Sequence, residues 1–183
     1  MPAPRRPARA RTRRDPPALD AKGAKLAAFD LLARHAWSTR DLTRRLRRRG
    51  AAPDVARAVV AELEGRGYLD DEAFARWWAQ ARAEGRHVGS LRLRRELAAK
   101  GIPRDLAASA VEAAFEEASE LDRALAAGRR RMPALRRAAP DRLTARLSAY
   151  LLRRGYPPAL TRRVVTQLTG AELDEIPEGG EGV

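Results

Sequence analysis

The chain has 183 residues, a formal net charge of +13 and an isoelectric point near 11.4. Its positive charge lies almost entirely on arginine, whose planar guanidinium group suits phosphate and carboxylate. The absence of cysteine excludes disulfides and thiolate chemistry and fits a reducing cytoplasm, and no apolar run is long enough for a membrane span or a secretory signal.

The two ends of the chain carry opposite charge, and both are predicted to be disordered tails. Residues 1–23 are rich in arginine and contain five prolines, which interrupt any helix there. Residues 170–183 hold five acidic residues, no basic residue, a proline and a pair of glycines. The sequence between the tails is itself basic, which points to a polyanion or an acidic protein as the partner.

Three copies of a short block lie between the tails and predict a helical repeat. Each copy reads Leu-x3-Leu-x2-(Arg or Lys)-Gly and ends at Gly50, Gly101 or Gly155. Glycine favours the end of a helix, and a proline two or three residues later suits the start of the next one. An apolar face with helical spacing follows each glycine, at Val55, Val59, Val60 and Leu63, at Leu106, Ala110, Val111 and Ala114, and at Leu160, Val164, Val165 and Leu168.

The first predicted unit covers residues 24–68 and has three helices. Its first helix spans about 25–35, with apolar residues at helical spacing that include Leu26. The second helix ends at the first repeated glycine, and Ser38 with an acidic residue three positions later predicts its N-terminal cap. The third helix spans about 54–64, and two glycines then close the unit.

The second predicted unit covers residues 69–115 and follows the same plan. Asp70 is placed to cap its first helix, and the acidic residues that follow suit the positive end of the helix dipole. After a turn that contains two glycines, Ser90 is predicted to cap the next helix. The last two helices of this unit end near Gly101 and Phe115.

The third predicted unit covers residues 116–169 and is less regular. Its first helix spans about 117–131 and ends before Pro133, and Asp141 is predicted to cap the helix that ends at Gly155. The three units together predict an all-α fold of three tandem three-helix, helix-turn-helix-like repeats. Because a unit of about 50 residues buries too little apolar surface to be secure alone, we expect an elongated, curved array.

The sequence contains no pattern that indicates catalysis, a cofactor or a metal ion. His35 and His87 lie in different units and have no cysteine or spaced carboxylate partners. There is also no phosphate-binding loop of the kind that follows a strand. We therefore predict no catalytic residue, no cofactor and no metal site, and a protein that is not an enzyme.

Two features of the second unit invite a functional interpretation but favour a structural one. The acidic run Asp70-Asp71-Glu72 is interpreted as helix capping, because successive side chains on a helix point about 100° apart and do not converge on a cation. For the same reason Trp77 and Trp78 cannot both face outward. One is predicted to lie in the core, which leaves at most the other to stack on bases.

The middle helix of each unit presents arginine on its outward side, opposite the buried leucines. An ordinary solvated face is the alternative, but these helices are expected to lack balancing acids, so the like charges repel one another unless an anion binds. We predict that this arginine ridge contacts DNA phosphate or acidic protein. Its positions shift between units, so it does not read bases. The ridge consists of Arg44, Arg47, Arg48, Arg92, Arg95, Arg142, Arg146 and Arg153.

A long motif in the second unit is specific. Tyr68-Leu69-Asp70-Asp71 is followed by Phe74-Ala75 and then, at a set distance, by Glu96-Leu97 and Lys100-Gly101-Ile102. This combination resembles the RecX family of bacterial recombination regulators. The resemblance extends into the first and third units and covers about residues 24–168, so both tails lie outside the shared pattern.

The resemblance implies a three-repeat helical protein that binds the RecA nucleoprotein filament along its groove. It implies limits on filament growth and on the ATPase, strand-exchange and coprotease activities that depend on the filament, with roles in homologous recombination, DNA repair and the SOS response. Direct binding to single- and double-stranded DNA is implied as well. We expect a cytoplasmic monomer.

Two other functions remain open from the sequence. A helix-turn-helix transcription regulator would need polar base-reading side chains at the start of a recognition helix, and these helices carry arginine without asparagine or glutamine. A sequence-neutral DNA-binding protein is compatible with the charge alone.

Overall fold

A computed structural model describes residues 19–138 and 140–171. Within these ranges the chain forms nine α-helices, a short 3-10 helix at Pro140–Arg142 and no strand, which confirms the predicted all-α class. None of these helices has the length and apolarity needed to cross a membrane. The helices are α1 (Ala21–Leu32), α2 (Thr39–Arg48), α3 (Pro53–Gly65), α4 (Asp71–Arg86), α5 (Ser90–Ala99), α6 (Arg104–Ala113), α7 (Glu120–Ala138), α8 (Leu143–Arg153) and α9 (Pro158–Thr169).

The helices group by threes, and each group has its own apolar core. Unit 1 contains α1–α3, unit 2 contains α4–α6 and unit 3 contains α7–α9, and every extensive helix–helix contact falls within one unit. The apolar face predicted after each glycine packs into these cores, as expected. The repeated leucines are fully buried, at Leu42 and Leu46, at Leu93 and Leu97, and at Leu147 and Leu151.

Two of the predicted helix caps are confirmed and two are wrong. Ser38 Oγ accepts a hydrogen bond from the Asp41 N–H at 3.2 Å, and the Asp70 carboxylate accepts one from the Ala73 N–H at 2.9 Å. Ser90, in contrast, is the first residue of α5 rather than its cap. Asp141 lies in the 3-10 helix, and α8 begins at Leu143 without a side-chain cap.

Helix α1 begins earlier than predicted. The Asp20 carboxylate accepts a hydrogen bond from the Gly23 N–H at 2.7 Å and caps the helix at Ala21. The buried face of α1 is formed by small residues and Leu31, whereas Leu26, expected on the apolar face, is 62% exposed. Residues 1–18 and 172–183, which make up most of both predicted tails, lie outside the described residues.

Helix α7 is longer than the sequence predicts, because it continues through Pro133 to Ala138. Proline in a helix interior removes one backbone hydrogen bond and crowds the preceding turn. Pro133 is exposed, however, and Leu135 beyond it is buried in the core of unit 3. Tertiary packing on both sides of the proline therefore keeps helical a segment that its local sequence would end.

The repeated glycines join neighbouring units. The turn at Gly155, where φ is 86°, lies against the start of α5: the Gly155 carbonyl accepts from the Leu91 N–H at 3.0 Å and the Arg154 carbonyl from the Gly89 N–H at 2.8 Å. A Cβ atom on Gly155 would lie 2.5 Å from the Arg92 backbone nitrogen. Glycine is therefore required here for close approach as well as for its positive φ.

The same contact recurs one unit earlier. The Lys100 carbonyl accepts a hydrogen bond from Ser38 Oγ at 2.8 Å, and a Cβ on Gly101 would lie 2.7 Å from Arg40 Cβ. The glycine turn of each later unit thus packs on the start of the middle helix of the unit before it. Only the end of a helix was predicted at these glycines, so this second role was missed.

Acidic residues also cross the junctions between units. The Asp71 carboxylate accepts hydrogen bonds from Thr39, from the backbone N–H at 2.8 Å and from Oγ1 at 2.7 Å. The Glu120 carboxylate accepts one from the Ser90 N–H at 2.7 Å. Each acid is the first residue of the first helix of the next unit, so α2 and α5 are partly capped by the units that follow them.

The segment before α1 contacts the glycine turn of unit 1. The Leu19 N–H donates to the Gly50 carbonyl at 3.0 Å, and Leu19 forms an isolated parallel bridge with Ala51. This hydrogen bond corresponds to the one between Leu91 and Gly155 in the later junction. Leu19 therefore occupies on unit 1 the position that a preceding unit occupies on unit 3.

Candidate nucleic-acid interface

The arginine ridge of unit 1 is assembled as the sequence suggests. Arg44, Arg47 and Arg48 line one shallow cavity of about 390 Å³ at the end of α2. All three side chains are exposed, and Arg44 also forms an ion pair with Asp41 at 2.8 Å. Arg47 and Arg48 differ from Arg44 in having no carboxylate within 4 Å of their guanidinium groups among the described residues.

A larger basic cavity lies between units 2 and 3, and we call it the inter-unit cleft. It has a volume of about 720 Å³, and it brings the ridge residues Arg92 and Arg153 together. His87 and Tyr150 are also part of its wall. Five further arginines that were not assigned to the ridge line it, namely Arg82, Arg86, Arg130, Arg131 and Arg154.

The remaining ridge residues lie apart from these two cavities. Arg146 lines a smaller cavity of about 210 Å³, which shares Arg131, Tyr150 and Arg153 with the inter-unit cleft. Arg95 and Arg142 are exposed and line none of the three. The predicted ridge is therefore divided into a patch on α2, a deeper region between units 2 and 3, and two isolated side chains.

The expectation that the middle helices lack balancing acids is wrong at two positions. Asp41 pairs with Arg44, and Glu96 on α5 pairs with Arg92 at 2.9 Å and with Arg82 at 2.6 Å. Burial of Glu96 opposes its ionisation, but the hydrogen bonds from Arg82 and Arg92 hold the pKa of this carboxyl below its ordinary value. These arginines are partly neutralised and structural.

Four arginines of the inter-unit cleft remain without such compensation. In the part of the chain that the structure describes, no carboxylate lies within 4 Å of their guanidinium groups. All four are exposed at their positions along α4, α7 and α8. They are Arg86, Arg130, Arg131 and Arg153.

Tyr150 forms the wall between the inter-unit cleft and the smaller cavity. The guanidinium carbon of Arg154 lies 4.8 Å from the centre of its ring, and that of Arg131 lies 5.8 Å away. Both distances are within the range of cation–π attraction. Arg154 also donates hydrogen bonds to the carbonyl oxygens of Arg86 and His87, so it links the two units across the cleft.

His87 is held in a special backbone conformation at the edge of this cleft. Its φ is 48°, and among the described residues it is the only one other than glycine with a positive φ. Burial, together with the nearby charges of Arg154 and Arg130, lowers the pKa of His87 below its ordinary value. Its carbonyl accepts from the Tyr156 hydroxyl at 3.0 Å, and burial raises the pKa of Tyr156 far above its ordinary value.

The two tryptophans have different environments, as predicted. Trp78 packs on the core of unit 2, donates from Nε1 to Glu96 at 3.2 Å and has Lys100 Nζ over its ring at 3.9 Å. Trp77 is 54% exposed and lines a shallow cavity with small residues of α6. One tryptophan is thus structural and the other is available to a partner.

The acidic run at the start of α4 is structural. Asp70 caps α4, Asp71 binds Thr39 of unit 1, and Glu72 forms an ion pair with Arg76 at 2.5 Å. Capping of α4 is thus confirmed for Asp70 alone, and the other two carboxylates have separate partners. No group of three potential metal ligands occurs among the residues placed by the structure.

The cleft arginines outside the ridge were missed because the predicted ridge was confined to the middle helix of each unit. Two weak signals were present: Arg82 and Arg86 lie four residues apart on one helix, and residues 129–131 are three successive arginines. Their meeting depends on the junction between units 2 and 3, which no local pattern reveals. Arg92 and Arg153 are the two residues of the predicted ridge that also line the inter-unit cleft.

Comparison with known proteins supports both the fold and the family. A family model described as RecX, second three-helix domain, matches residues 70–111, and one described as RecX, third three-helix domain, matches residues 118–165. Two solved structures share the fold: RecX from Lactobacillus salivarius (TM-score 0.69, 13% identity, 82% of this chain and 97% of that chain) and a second regulatory protein RecX (TM-score 0.71, 17% identity, 79% and 72%).

Sequence relatives extend the match over most of the chain. Regulatory protein RecX of Streptomyces coelicolor is 31% identical over 170 residues, which cover 91% of this chain and 88% of that protein. Regulatory protein RecX of Mycobacterium avium is 34% identical over 152 residues, or 82% and 87% of the two chains. The three helical units, the specific motif, the family models and these relatives agree. The chain belongs to the RecX family of regulatory proteins.

Proposed function

We propose that this protein binds the RecA filament on DNA and limits filament growth and the ATPase, strand-exchange and coprotease activities that depend on it. Membership of the RecX family is the observation that carries the proposal, because its relatives are named as regulatory proteins and match over most of their length. In this role the protein acts as a monomer in the cytoplasm, in homologous recombination, DNA repair and the SOS response.

The exposed arginines supply a physical basis for this binding. Arg47 and Arg48 on α2, and Arg153 on α8, extend into solvent without a carboxylate within 4 Å among the described residues. Guanidinium groups bind DNA phosphate and acidic side chains with charge-assisted hydrogen bonds. The apolar faces of the helices are already used by the three cores, so the attraction is mainly electrostatic and weakens with salt.

Direct contact with single- and double-stranded DNA is part of the proposal. Phosphate contacts position a protein on DNA without reading its sequence. The exposed arginines of α2 and α8 are available for such contacts. We propose that the protein acts by occupying the filament surface.

RecA-catalysed ATP hydrolysis on single-stranded DNA provides the test. We expect inhibition at protein concentrations well below that of RecA, and Arg47→Gln/Arg48→Gln should need about tenfold more protein for the same inhibition. Arg162→Gln/Arg163→Gln is the matched control, since it removes two adjacent exposed arginines from α9 and should inhibit like the wild type. Circular dichroism melts of both variants establish that they fold.

The dependence on concentration separates the alternatives. Inhibition that begins only when the protein saturates the DNA would indicate a sequence-neutral DNA-binding protein. No inhibition at any concentration would contradict the proposal and favour a transcription regulator. Equal loss in the two variants would remove the specific role of the α2 patch.

A further inference from the structure

The inter-unit cleft has the size of a small-molecule site. Its volume of about 720 Å³ lies within the range of about 300–1,000 Å³ that is usual for ligand pockets. Unit 2 contributes Arg82, Arg86 and Arg92 to its lining, and unit 3 contributes four more arginines from α7 and the end of α8.

The charge of the cleft exceeds what the fold requires. Glu96 neutralises part of the charge of Arg82 and Arg92, and Arg154 is held by carbonyl oxygens across the junction. The other four guanidinium groups have neither kind of partner in the described ranges. Like charges gathered in one cavity repel each other, and an anion with several adjacent negative groups would relieve that repulsion.

The walls of the cleft are held in place before any ligand binds. Backbone hydrogen bonds from Gly89 and Leu91 to the turn at Gly155 fix the two units, and Tyr156 adds a bond to the His87 carbonyl. A preorganised site loses little conformational freedom on binding. His87 Nδ1 is buried at this wall and has no hydrogen-bond partner among the described residues.

We propose that the inter-unit cleft binds a free nucleoside triphosphate, with its phosphates between Arg86, Arg130 and Arg153 and its base against Tyr150. A guanidinium group matches phosphate oxygens in a two-pronged contact, and the partly exposed ring of Tyr150 in the cleft wall gives a base an aromatic surface to pack against. A DNA strand offers the same chemistry, but it places one phosphate per nucleotide. A triphosphate places three in one cavity, which suits this density of arginine better.

The bound ligand would contact both units at once. Arg86 belongs to unit 2, whereas Arg130 and Arg153 belong to unit 3. Such a ligand adds contacts across a junction that backbone hydrogen bonds already hold. Binding of a triphosphate in this cleft does not require RecA, so it goes beyond the proposed function and can be measured on the isolated full chain.

Isothermal titration calorimetry of the full chain with ATP, inorganic triphosphate, adenosine and a short oligothymidylate tests the proposal at physiological salt. We expect one site for ATP and for triphosphate, with tighter binding of ATP because the base contacts Tyr150, and no binding of adenosine. ATP should also raise the melting temperature of the protein, and adenosine should not.

Two double variants locate the site. Arg130→Gln/Arg153→Gln should weaken ATP binding about 100-fold, because two charge-assisted contacts are lost. Arg162→Gln/Arg163→Gln removes the same charge from an exposed face of α9 and should bind ATP like the wild type. If the first variant has a lowered melting temperature, Arg86→Gln tests the cleft from the side of unit 2. We expect it to bind ATP about tenfold more weakly than the wild type.

Three outcomes would overturn the proposal. In the first, the wild type does not bind ATP. In the second, both double variants weaken ATP binding equally, which would indicate a general effect of net charge. In the third, binding of the oligonucleotide depends on Arg130 and Arg153 whereas binding of ATP does not, and the cleft would then belong to the DNA interface.

Discussion

At the scale of single residues, Gly155 has two roles that can be separated. Its φ of 86° disfavours any side chain, and its backbone touches the start of α5. Gly170 shares the first property, with a φ of 71°, but a Cβ there would meet no atom within 4 Å. A comparison of substitutions at the two glycines therefore separates the effect of the contact between units from the effect of the positive φ.

We expect Gly155→Ala to lower the free energy of unfolding by about 2–4 kcal/mol, and Gly170→Ala by about 1 kcal/mol. The backbone strain is common to both, and the clash with Arg92 adds the cost of overpacking. Urea denaturation followed by circular dichroism measures both. Equal losses would mean that the junction adapts to the extra carbon.

We expect His87 to make the free energy of unfolding depend on pH. Because its pKa in the folded protein is below its ordinary value of 6.5, the unfolded chain takes up a proton first as the pH falls. Above pH 6.5 the His87 side chain is neutral in both the folded and the unfolded chain, so its titration does not change the free energy of unfolding there. Folding stability is then lost as the pH drops from 6.5 through the folded pKa.

His87→Asn tests this, since asparagine tolerates the left-handed conformation and does not titrate. The wild type should lose more of its free energy of unfolding than the variant between about pH 7.5 and about pH 5. The carboxylates titrate in both proteins, so the difference between them reports His87. Parallel pH profiles would contradict the assignment.

At the scale of helices, caps are supplied across unit boundaries. Asp71 stands at the start of α4 but caps α2 through Thr39. We expect Asp71→Ala to reduce stability by about 1–2 kcal/mol and to speed hydrogen exchange at the Thr39 amide. Glu72→Ala is the control, because Glu72 is equally near the start of α4 and only forms an exposed pair with Arg76, which is worth less than about 1 kcal/mol.

Exchange at Thr39 separates a lost cap from a general loss of stability. If both variants lose similar stability, the acids act only through the dipole of α4. If the Thr39 amide exchanges no faster in Asp71→Ala, its hydrogen bond to the carboxylate is not formed in solution.

The elements that could be predicted from the sequence are those whose cause is local. The buried leucines and the caps Ser38 and Asp70 depend on neighbours within one helix or one unit. Ser90 was misread because the acid that binds its N–H is Glu120, thirty residues later in the chain. Pro133 was misread for a similar reason, since packing in unit 3 overrides it.

The candidate site could be predicted only in part. Arg47 and Arg48 follow from the helical projection of α2, because their exposure depends on that helix alone. Arg86 and Arg130 meet across a junction made by backbone hydrogen bonds, and their spacing in the sequence carries no trace of it. Contacts between units are therefore the part of this protein that pattern analysis missed.

At the scale of the whole molecule, we expect an elongated, curved particle. Every extensive helix–helix contact lies within a unit, and the contacts that join units are confined to the glycine turns and the crossing acids. Small-angle X-ray scattering should therefore give a maximum dimension well above that of a sphere of the same mass. A compact, spherical profile would contradict this expectation.

Leu19 has a consequence for self-association. The glycine turns of units 2 and 3 bind the start of a preceding middle helix, so an uncovered turn is a surface that accepts the same element from another molecule. In unit 1 the hydrogen bond from Leu19 to Gly50 covers that surface. Head-to-tail contacts that do not close on themselves produce open filaments. We therefore expect Leu19, which occupies this position on unit 1, to disfavour head-to-tail association at that end of the array.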